Sequence, residues 1–86
     1  MKDTVISFGS VTGKVLDFPE AGDTLPMHEH GETGNHFTIV SRGSFMARGR
    51  NWHQTLTCGD VVDWPPNQPH EFTALEPNSR LVNIIK

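Results

Sequence analysis

The stretch Gly22-Asp23-Thr24-Leu25-Pro26-Met27-His28-Glu29-His30-Gly31-Glu32-Thr33-Gly34-Asn35-His36 holds three of the five histidines of this 86-residue chain. A fourth, His70, follows the stiff segment Pro65-Pro66-Asn67-Gln68-Pro69. Imidazole is the commonest protein metal ligand near neutral pH, so spacing decides whether these rings can meet. His28 and His30 are two residues apart. On a strand, side chains at i and i+2 point to the same face, which aims both rings at one point. On a helix they would diverge by about 200°, and Pro26 also opposes a helix. Thr24 to His30 therefore reads as an extended segment, with Glu29 turned away towards solvent. Gly31 to Asn35 is a loop by composition. A strand begins at His36, with His36, Thr38 and Val40 on one face and Phe37 and Ile39 on the other. Arg42-Gly43 ends it.

Outward from this stretch the same grammar repeats. Val5 to Phe8 and Lys14 to Phe18 are short apolar segments around a turn at Gly9-Ser10-Val11-Thr12-Gly13. Phe45 to Arg48 and Trp52 to Thr57 form a hairpin about Gly49-Arg50-Asn51. Trp52, Gln54 and Leu56 share a face of that hairpin, and His53 lies on the other. Cys58-Gly59-Asp60 turns the chain into Val61 to Trp64. The proline run after it cannot be a central strand. From His70 the pattern alternates, with His70, Phe72 and Ala74 on one face. Glu76-Pro77-Asn78-Ser79 turns the chain into a last apolar strand, Arg80 to Ile85. Short β-branched runs bounded by Gly, Pro and Asp favour strands throughout. Their number, about eight or nine, and their turn spacing fit a sandwich or barrel. The expected fold is all-β and a single domain over residues 1–86.

Composition narrows the function classes. So small a chain buries a limited core, and small scaffolds often add a metal, disulfides or a second subunit. Cys58 is the only cysteine, so no disulfide forms within the chain, and a lone thiol fits a reducing, cytoplasmic setting. It is expected as a small buried filler. The formal charge is −3 with scattered basic residues, which gives no footprint for nucleic acid. No apolar run is long enough to span a bilayer, and the first residues lack the apolar core of a signal peptide. Eight glycines and six prolines mark turns, because apolar segments lie between them.

The spacings resemble those of the cupin superfamily, in particular small four-histidine cupins. The first cupin motif runs Gly, five residues, His-x-His, three or four residues, Glu, six residues, Gly. Here Gly22 precedes His28-x-His30 by five residues, and His36 stands in the glutamate's place, six residues before Gly43. The second motif runs Gly, five residues, Pro-x-Gly, two residues, His, three residues, Asn. Here the corresponding residues are Gly59, Pro65-x-Asn67, His70 and Ala74. Leu56-x-x-Gly59-Asp60 is also typical of cupins. The resemblance covers residues 22–74, with motif 1 at 22–43 and motif 2 at 59–74. It implies a double-stranded β-helix, or jelly-roll, and one divalent transition metal (Mn, Fe, Ni, Cu or Zn) held by His28, His30, His36 and His70. His36 in place of Glu makes the ligand set all-imidazole. Glu32 is the nearest substitute should His36 not bind.

Four neutral imidazoles without a thiolate do not look like a closed structural zinc site. Open positions on the metal are what chemistry requires. The leading expectation is a metal-dependent enzyme acting on a small organic molecule. A redox metal would make it a dioxygenase type, and a Lewis-acid metal an isomerase or lyase type. A non-catalytic sugar or metabolite binder or sensor is the alternative, and a structural metal in a partner subunit is the third. The chain has no tyrosine, so chemistry centres on the metal and on His, Glu, Asp or Cys. Trp52, Phe45, Met46, Trp64 and Phe72 are core residues, some also at a pocket mouth. Arg42, with the strand parity of His36, and Arg48 are read as solvated. A homodimer is expected through an outer sheet face, with Phe37, Ile39 and Leu81 to Ile85 supplying apolar surface.

Overall fold

A computed structural model describes residues 2–8, 11–28, 36–64 and 68–85; the side chains of residues 6–8, 11, 36 and 85 are outside that description. The described residues form nine strands and no helix: β1 (Lys2–Phe8), β2 (Val11–Phe18), β3 (Thr24–His28), β4 (His36–Arg42), β5 (Ser44–Arg48), β6 (His53–Thr57), β7 (Val61–Trp64), β8 (His70–Ala74) and β9 (Ser79–Ile85). They build a five-stranded sheet, β1-β2-β9-β4-β7, and a four-stranded sheet, β3-β8-β5-β6. All pairings between them are antiparallel. From β3 onward the chain mostly switches sheets at each connection, which is the jelly-roll arrangement expected from the sequence.

The turns follow local chemistry. Gly22, Gly43 and Gly59 have positive φ, as does Asn78 at 56°. Gly43 carries β4 from one sheet into β5 of the other. A Cβ there would also meet the side chain of Ser79, so both backbone and space demand glycine. At Cys58-Gly59-Asp60, the Thr57 amide donates to the Asp60 carboxylate at 2.8 Å. The expected turn over Gly9 to Gly13 is shorter than its composition suggests. β2 begins at Val11, and Gly13 pairs with Ile6 and Ile84 inside the ladder. Cys58 is exposed in its turn rather than buried, because a turn between two edge strands has no core beneath it. Its thiol donates to the Ser41 carbonyl at 3.5 Å.

The core lies between the sheets. Leu16, Phe18, Val40 and Leu81 meet Phe45, Leu56, Phe72 and Ala74. Phe18 and Phe45 pack edge to face with centroids 4.9 Å apart, the geometry that aromatic quadrupoles favour. Alternation within β8 is strict: His70, Phe72 and Ala74 are buried and Glu71 and Thr73 half-exposed. β9 splits the same way. Leu81 and Asn83 point inward and Val82 and Ile84 outward, so only half of that apolar strand is available to an outer surface.

Two bulges break the alternation. In β3, Leu25 pairs with Phe72 but His28 pairs with His70, so three steps on one strand match two on the other. In β4, Val40 pairs with Leu81 and Arg42 with Arg80. That extra residue overturns the parity expected for Arg42. Instead of sharing the inward face of Val40, Arg42 is exposed in a row with Arg80 and Asp17. Its guanidinium donates to the Asn78 carbonyl at 2.6 Å and lies 3.6 Å from Asp17.

Candidate metal centre

His28 and His70 meet across the β3–β8 ladder. They are direct register partners, and their rings stand edge to face with centroids 4.5 Å apart. The β3 bulge makes this possible. Leu25 packs against the core, so unbroken alternation would turn Met27 inward and His28 outward. Pro26 and Met27 absorb the extra residue instead, a bulge position being one that proline tolerates. Met27 is left 41% exposed, and His28 faces His70. Bulges beside functional sites commonly re-aim a side chain in this way.

Both rings are tied by the same device. His28 Nδ1 lies 2.8 Å from the Pro26 carbonyl, and His70 Nδ1 lies 2.9 Å from the Gln68 carbonyl. A carbonyl oxygen only accepts, so each Nδ1 carries the proton. The lone pair of each neutral ring is then on Nε2. An Nδ1–H bonded to a backbone carbonyl is the usual support of a metal-ligating histidine, fixing tautomer and orientation. Two adjacent, oriented imidazoles on a barrel interior fit part of a divalent transition-metal site.

Of the other expected ligands, His30 lies outside the described residues, as do Glu29 and Glu32. His36 is described only as the first residue of β4, opposite Trp64 on one side and Ile85 on the other. Among the described side chains, the expected set is represented by His28 and His70, and no group of three potential ligands occurs. His53 is exposed on β6, away from this pair in the ladder.

His70 is 1% exposed and has an aromatic bed. The Trp64 indole lies parallel to it, centroids 4.0 Å apart and planes 9° apart. Phe72 flanks it at 5.7 Å. The indole is itself anchored. Its Nε1–H donates to the Thr38 hydroxyl at 2.8 Å, and that hydroxyl donates to the Asn83 side-chain oxygen at 2.7 Å. Thr38 and Asn83 are 0% and 5% exposed, so each would be costly to leave unpaired. Sequence reasoning read Trp64 as core and gave Thr38 and Asn83 no role. The available signal was Asn83 itself. By alternation it shares the buried face of Leu81, and a buried amide needs a partner.

Beside this bed a cleft of about 450 Å³ opens between β6 and β7, the edge strands of the two sheets. Ala47, Leu56, Val62, Trp52 and Trp64 form its walls. Gln54 and Gln68 add amides, and His53 and Asp63 complete the lining. Neither His28 nor His70 lines it, but Trp64 stacks on His70 and the Gln68 carbonyl holds its Nδ1.

Comparison with known proteins gives no matching family model and no curated protein that matches significantly. Solved structures do match. KdgF from a Halomonas species superimposes with a TM-score of 0.83 at 22% identity, covering 95% of this chain and 74% of that one. An RmlC-like cupin protein from Desulfovibrio desulfuricans gives 0.82 at 23% identity, covering 98% and 80%. The chain has the cupin fold. HppE, solved with FeII and in complex with substrate, shares this cupin fold with a TM-score of 0.79 at 20% identity, this chain spanning 52% of its length.

Proposed function

We propose that this cupin-fold chain is a metal-dependent enzyme acting on a small organic molecule, with one divalent transition metal held by His28, His30, His36 and His70. The observation that carries it is the His28–His70 pair, direct neighbours across the β3–β8 ladder with both Nδ1 atoms held by main-chain carbonyls, the support usual for metal-ligating imidazoles. Support comes also from HppE, a structural neighbour solved with FeII and substrate. A metal held by neutral imidazoles keeps its full charge and supplies either redox chemistry or Lewis-acid polarisation.

The chain's own residues do the rest. The Pro26 and Gln68 carbonyls hold the two rings in one tautomer, and Trp64 and Phe72 cover His70 and keep water from it. A dioxygenase-type reaction is the favoured form, and isomerase or lyase chemistry the next. A cytoplasmic setting accords with the single exposed thiol. No helix among the described residues is long and apolar enough to cross a membrane.

Elemental analysis of the native protein should find close to one equivalent of Mn, Fe, Ni, Cu or Zn. His28→Ala with His70→Ala should lower metal affinity by more than the roughly 10- to 100-fold that loss of a supporting partner costs. Unchanged stoichiometry and affinity in that double variant would refute the site. Oxygen uptake with the Mn-, Fe-, Ni- or Cu-loaded protein over enolic, thiol and phenolic substrates separates turnover from binding alone. A small molecule carried through purification and left chemically unchanged would favour the sugar- or metabolite-binding reading.

The same chain is proposed to form a homodimer. Val15, Val82, Ile39 and Val61 stand in one row across β2, β9, β4 and β7. They line the outer face of the larger sheet, with Val61 60% exposed. Burying such a row stabilises a small domain by roughly 25 cal/mol per Å². A monomer by light scattering at micromolar concentration would rule it out.

A further inference from the structure

We infer that the cleft between β6 and β7 binds an uncharged ring with one apolar face and a hydroxylated edge. Two of its lining residues, Trp64 and Gln68, hold His70; taking the cleft as the substrate's seat rests on the proposed enzymatic reading. The ligand class comes from the lining alone. At about 450 Å³ the cleft has the size of a small-molecule site.

Register shows what faces into it. Ala47 pairs with Gln54, and Phe45 with Leu56. Ala47, Phe45 and Leu56 are core residues, so the Gln54 amide shares their inward face. Val62 pairs with the buried Thr38 and faces inward too. Asp63 instead pairs with Phe37, and His53 with Arg48. Both therefore belong to the outward faces and contribute only to the rim.

The inward chemistry is thus apolar walls, two indoles and the amide of Gln54, with Gln68 beside His70. No lysine or arginine is among the described lining residues. A carboxylate or phosphate would lose its water there without a cation to replace it. The one acid faces away, so a cationic ligand gains no ion pair. An amide both donates and accepts, as a hydroxyl does. The half-buried Trp52 ring, 5.9 Å from the buried Trp64 ring and tilted by 31° to it, offers a flat face to the apolar side of a ring.

The indole wall is built into the backbone. Gly49 in the β5–β6 turn has no Cβ, and one there would collide with the Trp52 indole. The turn is closed by Gly49 N–H donating to the Trp52 carbonyl at 2.9 Å. Two chemical sources share these features, a sugar pyranose and a phenolic ring.

The test uses the protein's own emission. Its two tryptophans both line the cleft and it has no tyrosine, so fluorescence reports on this place. Methyl glucoside, maltose and catechol are titrated against glucuronate and choline, with calorimetry alongside. The expected result is saturable binding of an uncharged ring at least tenfold tighter than that of either charged probe, and the better of sugar and catechol identifies the source. Gln54→Leu, which keeps both reporters, should weaken it about tenfold, the loss of one hydrogen bond. Gly49→Ala should weaken it by displacing the indole, with the melting of both variants checked against wild type.

Saturation by glucuronate or choline as tight as by the neutral rings overturns the inference, as does no saturable response to any neutral ring. Titrating chelator-treated and metal-loaded protein keeps the two proposals apart. Ring binding without metal binding would leave the cleft standing and sink the metal centre, and metal binding without ring binding the reverse.

Discussion

Trp64 and His70 lie 4.0 Å apart face to face, and what anchors the indole there is a hydroxyl on the neighbouring strand β4. Thr38 accepts from the indole and donates to Asn83. Replacing Thr38 by valine keeps the shape but removes both bonds. It leaves an indole N–H and an amide oxygen buried, at about 1–3 kcal/mol each. Urea unfolding of Thr38→Val should show that loss. Metal titration of the folded variant should show weaker binding within the roughly 10- to 100-fold range of supporting partners. A variant that loses stability but binds metal as wild type would confine Thr38 to the core. As candidates, His28, His30, His36 and His70 were legible from spacing, and of these four the side chains of His28 and His70 are the ones described. Thr38 was not legible, because its value lies in two partners distant in sequence.

At the scale of strands, the decisive features are the bulges in β3 and β4. Strict alternation from Leu25 would bury Met27; the bulge exposes it and turns His28 towards His70. Met27→Glu should therefore change stability by no more than about 0.5 kcal/mol, as at ordinary surface positions. Thermal melting would detect a larger cost, which would mean that β3 runs without the bulge. The second bulge moves Arg42 out of the barrel and into a row with Arg80 and Asp17. Most strand ends were readable because Gly, Asn and Asp mark turns for local reasons. Gly13 misled, since a glycine can also sit inside a ladder, and so did Cys58, whose exposure depends on having no layer above the turn.

For the whole molecule, the two sheets are joined by core packing, and the larger sheet is tied across its own strands β2, β9 and β4 by charge. The Arg80 guanidinium, bonded to Asp17 at 2.7 Å, holds that carboxyl below its ordinary value of 3.8, with Arg42 adding to the effect against partial desolvation. A carboxylate lowered in the folded state stabilises it fully above the ordinary value. That contribution is lost as pH falls through the lower, folded value. Asp17→Asn should thus be less stable than wild type at neutral pH, and the gap should close on acidification below about pH 4. Melting curves across that range give the check, and a gap independent of pH would assign the loss to packing instead.

The sequence by itself determined the all-β class, the alternation that places His70, Phe72 and Ala74 on one face, and the spacing that marks His28, His30, His36 and His70 as candidate ligands. Each rests on the two-residue period of a strand or the φ demands of a turn, which are properties of the nearest neighbours. Tertiary structure alone decided which strand lies beside which. From that follow the bulge that aims His28, the Thr38–Asn83 anchor of the indole on His70, and the cleft between two edge strands. These depend on register between segments far apart in the chain, and register is set by the partner strand rather than by the residue.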